Sequence, residues 1–196
     1  MKKKRSMQVN SKYHISRDRI AEEQVLIEQA RKTPERFEQL YVQYYENIFR
    51  FVYQRLDSKD QAFDITQQVF LKALTNLGKY TFRGVPFSSW LYRIASNEIN
   101  DVFRRNKAQR TINIESVHIH AMLDEMEEDK HEEYYNRLIS AIENLEEDDL
   151  MLIEMRYFEK RPFKEIAEIM SVTESNAKVK VYRIIEKLRK QILPNR

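Results

Sequence analysis

Five polar side chains near the end of this 196-residue chain, Ser175, Asn176, Lys178, Lys180 and Arg183, have the chemistry needed to grip a nucleic-acid duplex. Asn and Ser offer donors and acceptors to base edges, while Lys and Arg neutralise phosphates. Ala177, Val181, Ile184, Ile185 and Leu188 recur among them at helical intervals, and burying that stripe turns the five polar residues outward. Thr173 is placed to cap this helix. Upstream, Phe163, Ile166, Ala167 and Met170 fall at i, i+3, i+4 and i+7 on a shorter helix opened by Pro162. The turn between the two falls at Ser171, where a residue other than glycine is asked to take a positive φ. Two such helices make a helix-turn-helix, whose second helix can enter a major groove. A helical hairpin with a solvated basic face shares the same local pattern.

A second set of residues has the chemistry of single-strand binding. The segment from Lys79 to Pro86 holds Tyr80, Phe82, Lys79 and Arg83 beside Gly84, so rings on which bases can stack sit next to cations that hold phosphates. Aromatic residues just before a helix are more often core than ligand contacts. On the helix that follows, Arg93 and Asn97 fall opposite the apolar stripe, and Asn97 has both the donor and the acceptor that reading a base edge requires. A third pattern suggests metal chemistry instead. Glu115-x-x-His118 and Glu128-x-x-His131, with His120 nearby, have the ligand spacing of di-iron helical bundles. Both fall in one charged segment about thirteen residues apart, whereas a bundle site needs them on separate helices with further carboxylates facing them. No metal or other cofactor is expected, and no enzymatic activity.

Those side chains need helices to hold them. The chain has only two Gly and four Pro and is 33% charged, and it has no run of alternating β-branched residues; the composition predicts an all-α protein with no sheet. Cysteine is absent, which excludes disulfides, Cys-based zinc sites and Cys nucleophiles. No apolar run approaches the roughly 18 residues that span a bilayer, and Lys2, Lys3, Lys4 and Arg5 lead into polar rather than apolar sequence. The expectation is a cytoplasmic protein without membrane insertion.

Charge divides the chain further. Residues 114–149 carry two basic against thirteen acidic side chains, while the segments on either side are net basic. Two basic modules joined by an acidic linker suit two grips on one polyanion. The expected organisation is a basic flexible tail over 1–20, a helical domain over 21–110, an acidic linker over 111–132 and a second small helical domain over 133–194 that ends in the helix-turn-helix. Within the first domain the periodicity predicts helices over 20–30, 34–56, a third from about 62 to Gly78, and 88–106, with Trp90 in the core and Ser96 and Asn100 outward. In the second, 132–144 and 146–158 precede the helix-turn-helix.

The order of these parts carries a resemblance. Asp64-Ile65-Thr66-Gln67-Gln68-Val69-Phe70-Leu71-Lys72-Ala73, then Phe82-Arg83-Gly84, then Trp90-Leu91-Tyr92-Arg93-Ile94-Ala95-Ser96-Asn97, then Arg156-Tyr157-Phe158 before the helix-turn-helix, resembles the bacterial RNA polymerase sigma factors of the extracytoplasmic-function (ECF) group over residues 21–192. The resemblance implies that Asp64, Gln67, Gln68 and Phe70 dock on the clamp helices of the polymerase β′ subunit, and that the C-terminal domain meets the β flap. It implies that Tyr80, Phe82, Arg83, Arg93 and Asn97 bind the minus-ten element, with Phe82 and Asn97 forming a pocket for a flipped base. Ser175, Asn176, Lys178, Lys180 and Arg183 would then read the minus-thirty-five duplex. Promoter DNA and an anti-sigma factor are the further partners it implies. A stand-alone helix-turn-helix regulator, binding duplex DNA as a homodimer, would need neither the Asp64-Gln67-Gln68 surface nor the Phe82 loop.

Overall fold

The computed structural model describes residues 17–56, 58–106, 122–123 and 132–192, and among them there is helix and no strand. The basic segment up to residue 16, most of the linker and the Glu115, His118, His120, Glu128 and His131 pattern lie outside the described residues. The chain divides into two compact units, one built around residues 15–113 and the other around 114–167 and 172–196.

The first unit has four helices: α1 (Arg17–Lys32), α2 (Phe37–Leu56), α3 (Lys59–Thr75) and α4 (Phe87–Asn106). α1 begins three residues ahead of the expected start, because Arg17, Asp18 and Arg19 contain no apolar side chain from which a period could be read. Pro34–Arg36 forms a 3-10 turn and α2 follows from Phe37, since Thr33 is extended and Pro34 has no amide hydrogen to donate. α2 buries Phe37, Leu40, Tyr44, Ile48, Phe51 and Val52 on one face. Arg55 closes that face, with its guanidinium 3.6 Å above the Phe51 ring and a 2.9 Å hydrogen bond from Nη1 to the Phe51 carbonyl.

Ser58 caps α3, its Oγ accepting the Gln61 amide at 3.4 Å, and Ala62, Thr66, Val69, Phe70 and Ala73 are buried. α3 stops at Thr75, ahead of the expected Gly78, and a 3-10 turn over Leu77–Lys79 follows. Leu74, read from the sequence as part of the inner stripe, is exposed. In α4, Phe87, Leu91, Tyr92, Ala95 and Ile99 are buried, and so is Glu98, whose carboxylate pairs with Lys72 across α3 and α4. Ser96 was expected outward and is buried. Its hydroxyl donates to the Tyr92 carbonyl one turn back at 2.8 Å, which satisfies it without solvent. Trp90, expected in the core, is only half-buried, as is Asn100.

The second unit comprises α5 (Glu132–Glu143), α6 (Glu147–Ile153), α7 (Phe163–Ile169) and α8 (Glu174–Ile192). Leu150 to Ile153 are all buried, so the second half of α6 is enclosed on every side while Asp148 in its first turn is exposed. The expected helix over 146–158 changes form at Glu154: Glu154–Phe158 is a π-helical turn, closed by a bond from the Glu159 amide to the Glu154 carbonyl at 2.9 Å. Lys160 then turns the chain at φ 54°. Arg137 of α5 donates to the Ile192 carbonyl at 3.3 Å, placing a cation at the negative end of α8.

The end of α7 is a Schellman turn. The Val172 amide bonds the Ala167 carbonyl at 2.9 Å, the Ser171 amide bonds Glu168 at 3.4 Å, and Ser171 has φ 56°, as the sequence pattern required. An L-residue there is strained relative to glycine. Ser171→Gly is therefore expected to stabilise the chain by about 0.5–1 kcal/mol in urea unfolding; a neutral or destabilising result would show that the serine side chain compensates the strain.

Candidate nucleic-acid interface

Thr173 anchors the start of α8. Its Oγ1 accepts the Asn176 amide at 3.2 Å, so α8 begins with a fixed direction. From there Ala177, Val181, Ile184, Ile185, Leu188 and Ile192 are buried, which matches the apolar stripe read from the sequence and extends it by one turn. Ser175, Asn176, Lys178 and Arg183 are exposed and Lys180 is half-exposed. At 100° per residue, Lys178 and Lys180 flank the buried stripe on opposite sides of the helix, while Ser175, Asn176 and Arg183 face away from it. Lys178 is held by Glu174 at 2.7 Å, one turn earlier, and lies 5.8 Å from the Phe163 ring centroid.

Two residues that periodicity passed over share the outward face. Val179 and Tyr182 are 45% and 56% exposed. The signal was present in the sequence, since both are apolar positions outside the stripe. In α7 the burial also differs from the expected set: Ile166, Ala167 and Ile169 are buried, but Phe163 and Met170 are only half-buried. The Phe163 ring carries the Arg156 guanidinium on its face at 4.4 Å.

In the first unit the loop 80–86 presents its residues unequally. Tyr80 is 7% exposed, its ring 5.1 Å from both Phe87 and Trp90. Tyr80 is thus buried where the resemblance implied a DNA contact, its ring packed and not presented as a stacking surface. Burial pushes its phenol pKa up to about 12, with a Gln24 hydrogen bond acting in the opposite sense, so the hydroxyl is neutral near neutral pH. Phe82 is 43% exposed and Arg83 is exposed, next to Gly84 at φ 71°. Trp90, Arg93 and Asn97 follow at i, i+3 and i+7 on one face of α4, beginning where Tyr80 packs. Arg93 is partly exposed and Asn97 fully so, which places a hydrogen-bonding amide on the same side of α4 as the loop.

On α3, Asp64, Gln67 and Gln68 are exposed as expected. Gln67 Nε2 donates to the Tyr41 hydroxyl at 3.3 Å. Phe70 is different. It is 3% exposed, where the resemblance implied a docking residue, and lies 4.8 Å from Tyr41 and 6.4 Å from Phe37 between ring centroids, beneath the exposed face. The apolar side chains available for contact are Phe63, Leu71 and Leu74, all exposed on the Gln67 side of α3. Among the described residues no group of three or more His, Asp or Glu side chains is placed to hold a metal ion.

Comparison with known proteins places these surfaces in a family. The model of sigma-70 region 2 matches residues 40–109, which hold the α3 face, the loop and Asn97, and the model of sigma-70 region 4 matches residues 135–188, which hold the helix-turn-helix. The chain belongs to the ECF RNA polymerase sigma factors. It is 29% identical over 184 residues to the ECF sigma-E factor of Escherichia coli, covering 88% of this chain and 95% of that one. It is also 29% identical over 167 residues to the sigma factor YlaC of Bacillus subtilis, covering 81% and 93%. Against the ECF sigma factor BldN of Streptomyces coelicolor it is 27% identical over 161 residues, covering 81% of this chain and 61% of that relative. Two solved structures share the fold. One is CnrH in complex with the cytosolic domain of CnrY, at TM-score 0.53 and 18% identity over 85% of this chain and 94% of that one. The other is RpoE in complex with the anti-sigma factor NepR from Bartonella quintana, at 0.52 and 16% over 82% and 98%.

Proposed function

We infer that this sigma factor binds core RNA polymerase, directs it to particular promoters and assists strand opening, acting by binding and positioning, with no covalent step and no cofactor of its own. The observation that carries this reading is the pairing, in one chain, of an exposed ring and amide at Phe82 and Asn97 with an exposed polar face on the Thr173-capped helix. A duplex regulator needs only the second. In this reading the domains run 21–110 and 133–194, joined by the acidic linker over 111–132. Asp64, Gln67 and Gln68, with Phe63 and Leu71 beside them, dock on the β′ clamp helices over the support of Phe70, and the C-terminal unit meets the β flap. Phe82 and Asn97 hold a base flipped from the minus-ten element, Arg83 and Arg93 hold its backbone, and Tyr80 supports the loop from beneath. Ser175, Asn176, Lys178, Lys180 and Arg183 contact the minus-thirty-five duplex.

The energetics favour this division. Unstacking a base costs a few kcal/mol, which an aromatic wall and hydrogen bonds to the extruded base partly offset. Tethering two weak DNA grips on one polymerase makes the second contact intramolecular and raises the total affinity without any new interaction. The fold shared with RpoE, solved bound to the anti-sigma factor NepR, supports an anti-sigma partner here as well. No helix among the described residues is long and apolar enough to cross a membrane, in keeping with a cytoplasmic site of action.

Run-off transcription with bacterial core polymerase on a genomic promoter library, with and without this protein, tests the reading. Transcripts that need both are expected; none, together with no binding to core polymerase, would leave a stand-alone DNA binder. A narrower test uses salt. Replacing Lys178, Lys180 or Arg183 singly with alanine should lower the slope of log affinity against log salt by about one each, with little change in sequence preference. Because Glu174 already engages Lys178, its replacement should give the smallest change of the three. A loss of sequence preference without a change of slope would instead place that residue on base edges.

A further inference from the structure

The helix α1 precedes the residues matched by the sigma-70 region 2 model, which begin at residue 40, and no role has been assigned to it above. Its buried surface is unusual. Beside Ile27 and Ala30 it carries Glu23, a carboxylate only 2% exposed. Burying a charge is expensive unless hydrogen bonds compensate it, so the position of its partners matters.

Glu23 Oε2 accepts the backbone N–H of Phe87 at 2.6 Å, and Oε1 accepts the Tyr44 hydroxyl. Phe87 is the first residue of α4, where amide donors have no partner within the helix. The residue before it is Pro86, whose side chain has no acceptor with which to cap the helix. Glu23 therefore supplies from α1 the cap that α4 cannot make for itself, and it sets an anion at the positive end of the α4 dipole. At the other stem of the loop, Arg31 Nε donates to the Leu77 carbonyl at 3.1 Å and its Nη2 donates to the Tyr80 carbonyl. Between these residues, the Gln24 side chain stands beside the Tyr80 phenol. One helix thus holds both ends of the segment that carries Phe82.

We propose that α1 is the positioning element of the minus-ten loop: Arg31 fixes the Leu77–Tyr80 stem, Glu23 fixes the start of α4, and the distance between these two anchors sets where Phe82 stands relative to Asn97. A loop whose ends are fixed before DNA arrives loses less conformational freedom on capturing a base. Glu23 and Arg31 act through Phe82, so they govern how well the correct base is distinguished, not how tightly polymerase is held. The proposal rests on the reading of Phe82 and Asn97 as a base pocket.

The test uses the full chain with core polymerase, on a promoter recovered by run-off transcription and on its single-base variants at the flipped position. The readout is the ratio of open-complex yields between the correct and the substituted promoter. A variant that merely folds less well lowers both yields equally and leaves this ratio alone. Glu23→Ala and Arg31→Ala should each reduce the ratio by about tenfold, equivalent to about 1.4 kcal/mol, with affinity for core polymerase unchanged. Glu23→Gln, which retains an oxygen for the Phe87 amide, should restore most of it. An unchanged ratio in both alanine variants, while Phe82→Ala collapses it, would overturn the positioning role and leave the base pocket standing. An unchanged ratio in Phe82→Ala as well would overturn both.

Discussion

Replacing Phe82 with alanine should slow promoter opening by about 10- to 100-fold while leaving the affinity for core polymerase unaltered. The size follows from stacking, since removing an aromatic platform beneath one base costs about 1–3 kcal/mol. Phe82 can carry that much because it is half-exposed, while Tyr80, two residues earlier, is already packed on Phe87 and Trp90. Asn97→Ala should act on the same step through a different interaction. It removes hydrogen bonds to the base edge, so its effect should depend on which base is presented, and Phe82→Ala should share that dependence, because a base no longer seated on the ring is not held where Asn97 can read it. Tyr80→Phe provides the contrast. It retains the packed ring and loses only the hydroxyl, and it should open promoters nearly as well as the parent chain. The measurement is the rate of open-complex formation followed by a fluorescent base at the minus-ten element, beside polymerase affinity measured separately. Equal losses of opening and of polymerase binding in Phe82→Ala would show that the loop belongs to the docking surface.

The contrast between Phe82 and Tyr80 shows where the sequence was legible and where it was not. The α8 stripe was readable to the residue because α8 is long, single-sided and buries only apolar side chains, so hydrophobic period and burial coincide. The range of α4 was readable because Leu91, Ala95 and Ile99 repeat along one face, even though polar side chains are buried among them. Motif membership, by contrast, says that a residue matters without saying whether it touches the partner. Phe70 and Tyr80 were both assigned to contact surfaces through the resemblance, yet both are buried, while Phe63 and Leu71 stand exposed on α3. Periodicity is also blind to buried polar groups. Ser96, Glu98, Glu23 and Glu165 are inside because a carbonyl, an amine, an amide or a guanidinium meets them there, and each of those partners comes from elsewhere in the fold or from the turn before. The π turn over Glu154–Phe158 left no mark on the apolar pattern either, since one extra residue per turn shifts the stripe by less than the spacing of side chains can reveal in five residues.

Arg161 is where a single change should do the most damage to the fold. Its side chain is 1% exposed and bridges two carboxylates, Nε to Glu159 Oε2 at 2.5 Å and Nη1 to Glu165 Oε2 at 3.5 Å. It stands between Lys160, the residue that turns the chain out of the π segment, and Pro162, which opens the helix-turn-helix. Its amide bonds the Met155 carbonyl at 2.9 Å and its own carbonyl accepts from Arg156 at 3.1 Å, so backbone and side chain together fasten α7 to the helix before it. Arg161→Ala leaves two nearly buried carboxylates facing the space the guanidinium filled, a change that costs about 3–5 kcal/mol. Small domains are stable by about 5–15 kcal/mol, so much of the C-terminal unit's margin would be gone. Urea unfolding should show the loss directly, and minus-thirty-five duplex binding should fall while docking of the α3 face on core polymerase persists. The apolar double variant Arg161→Met with Glu165→Leu should recover much of the stability, because it removes the buried charges along with their bond and leaves Glu159 able to turn toward solvent. If Arg161→Ala costs less than about 1 kcal/mol, within the range of an exposed ion pair, the three side chains are solvated in the native state and do not fasten the helix-turn-helix.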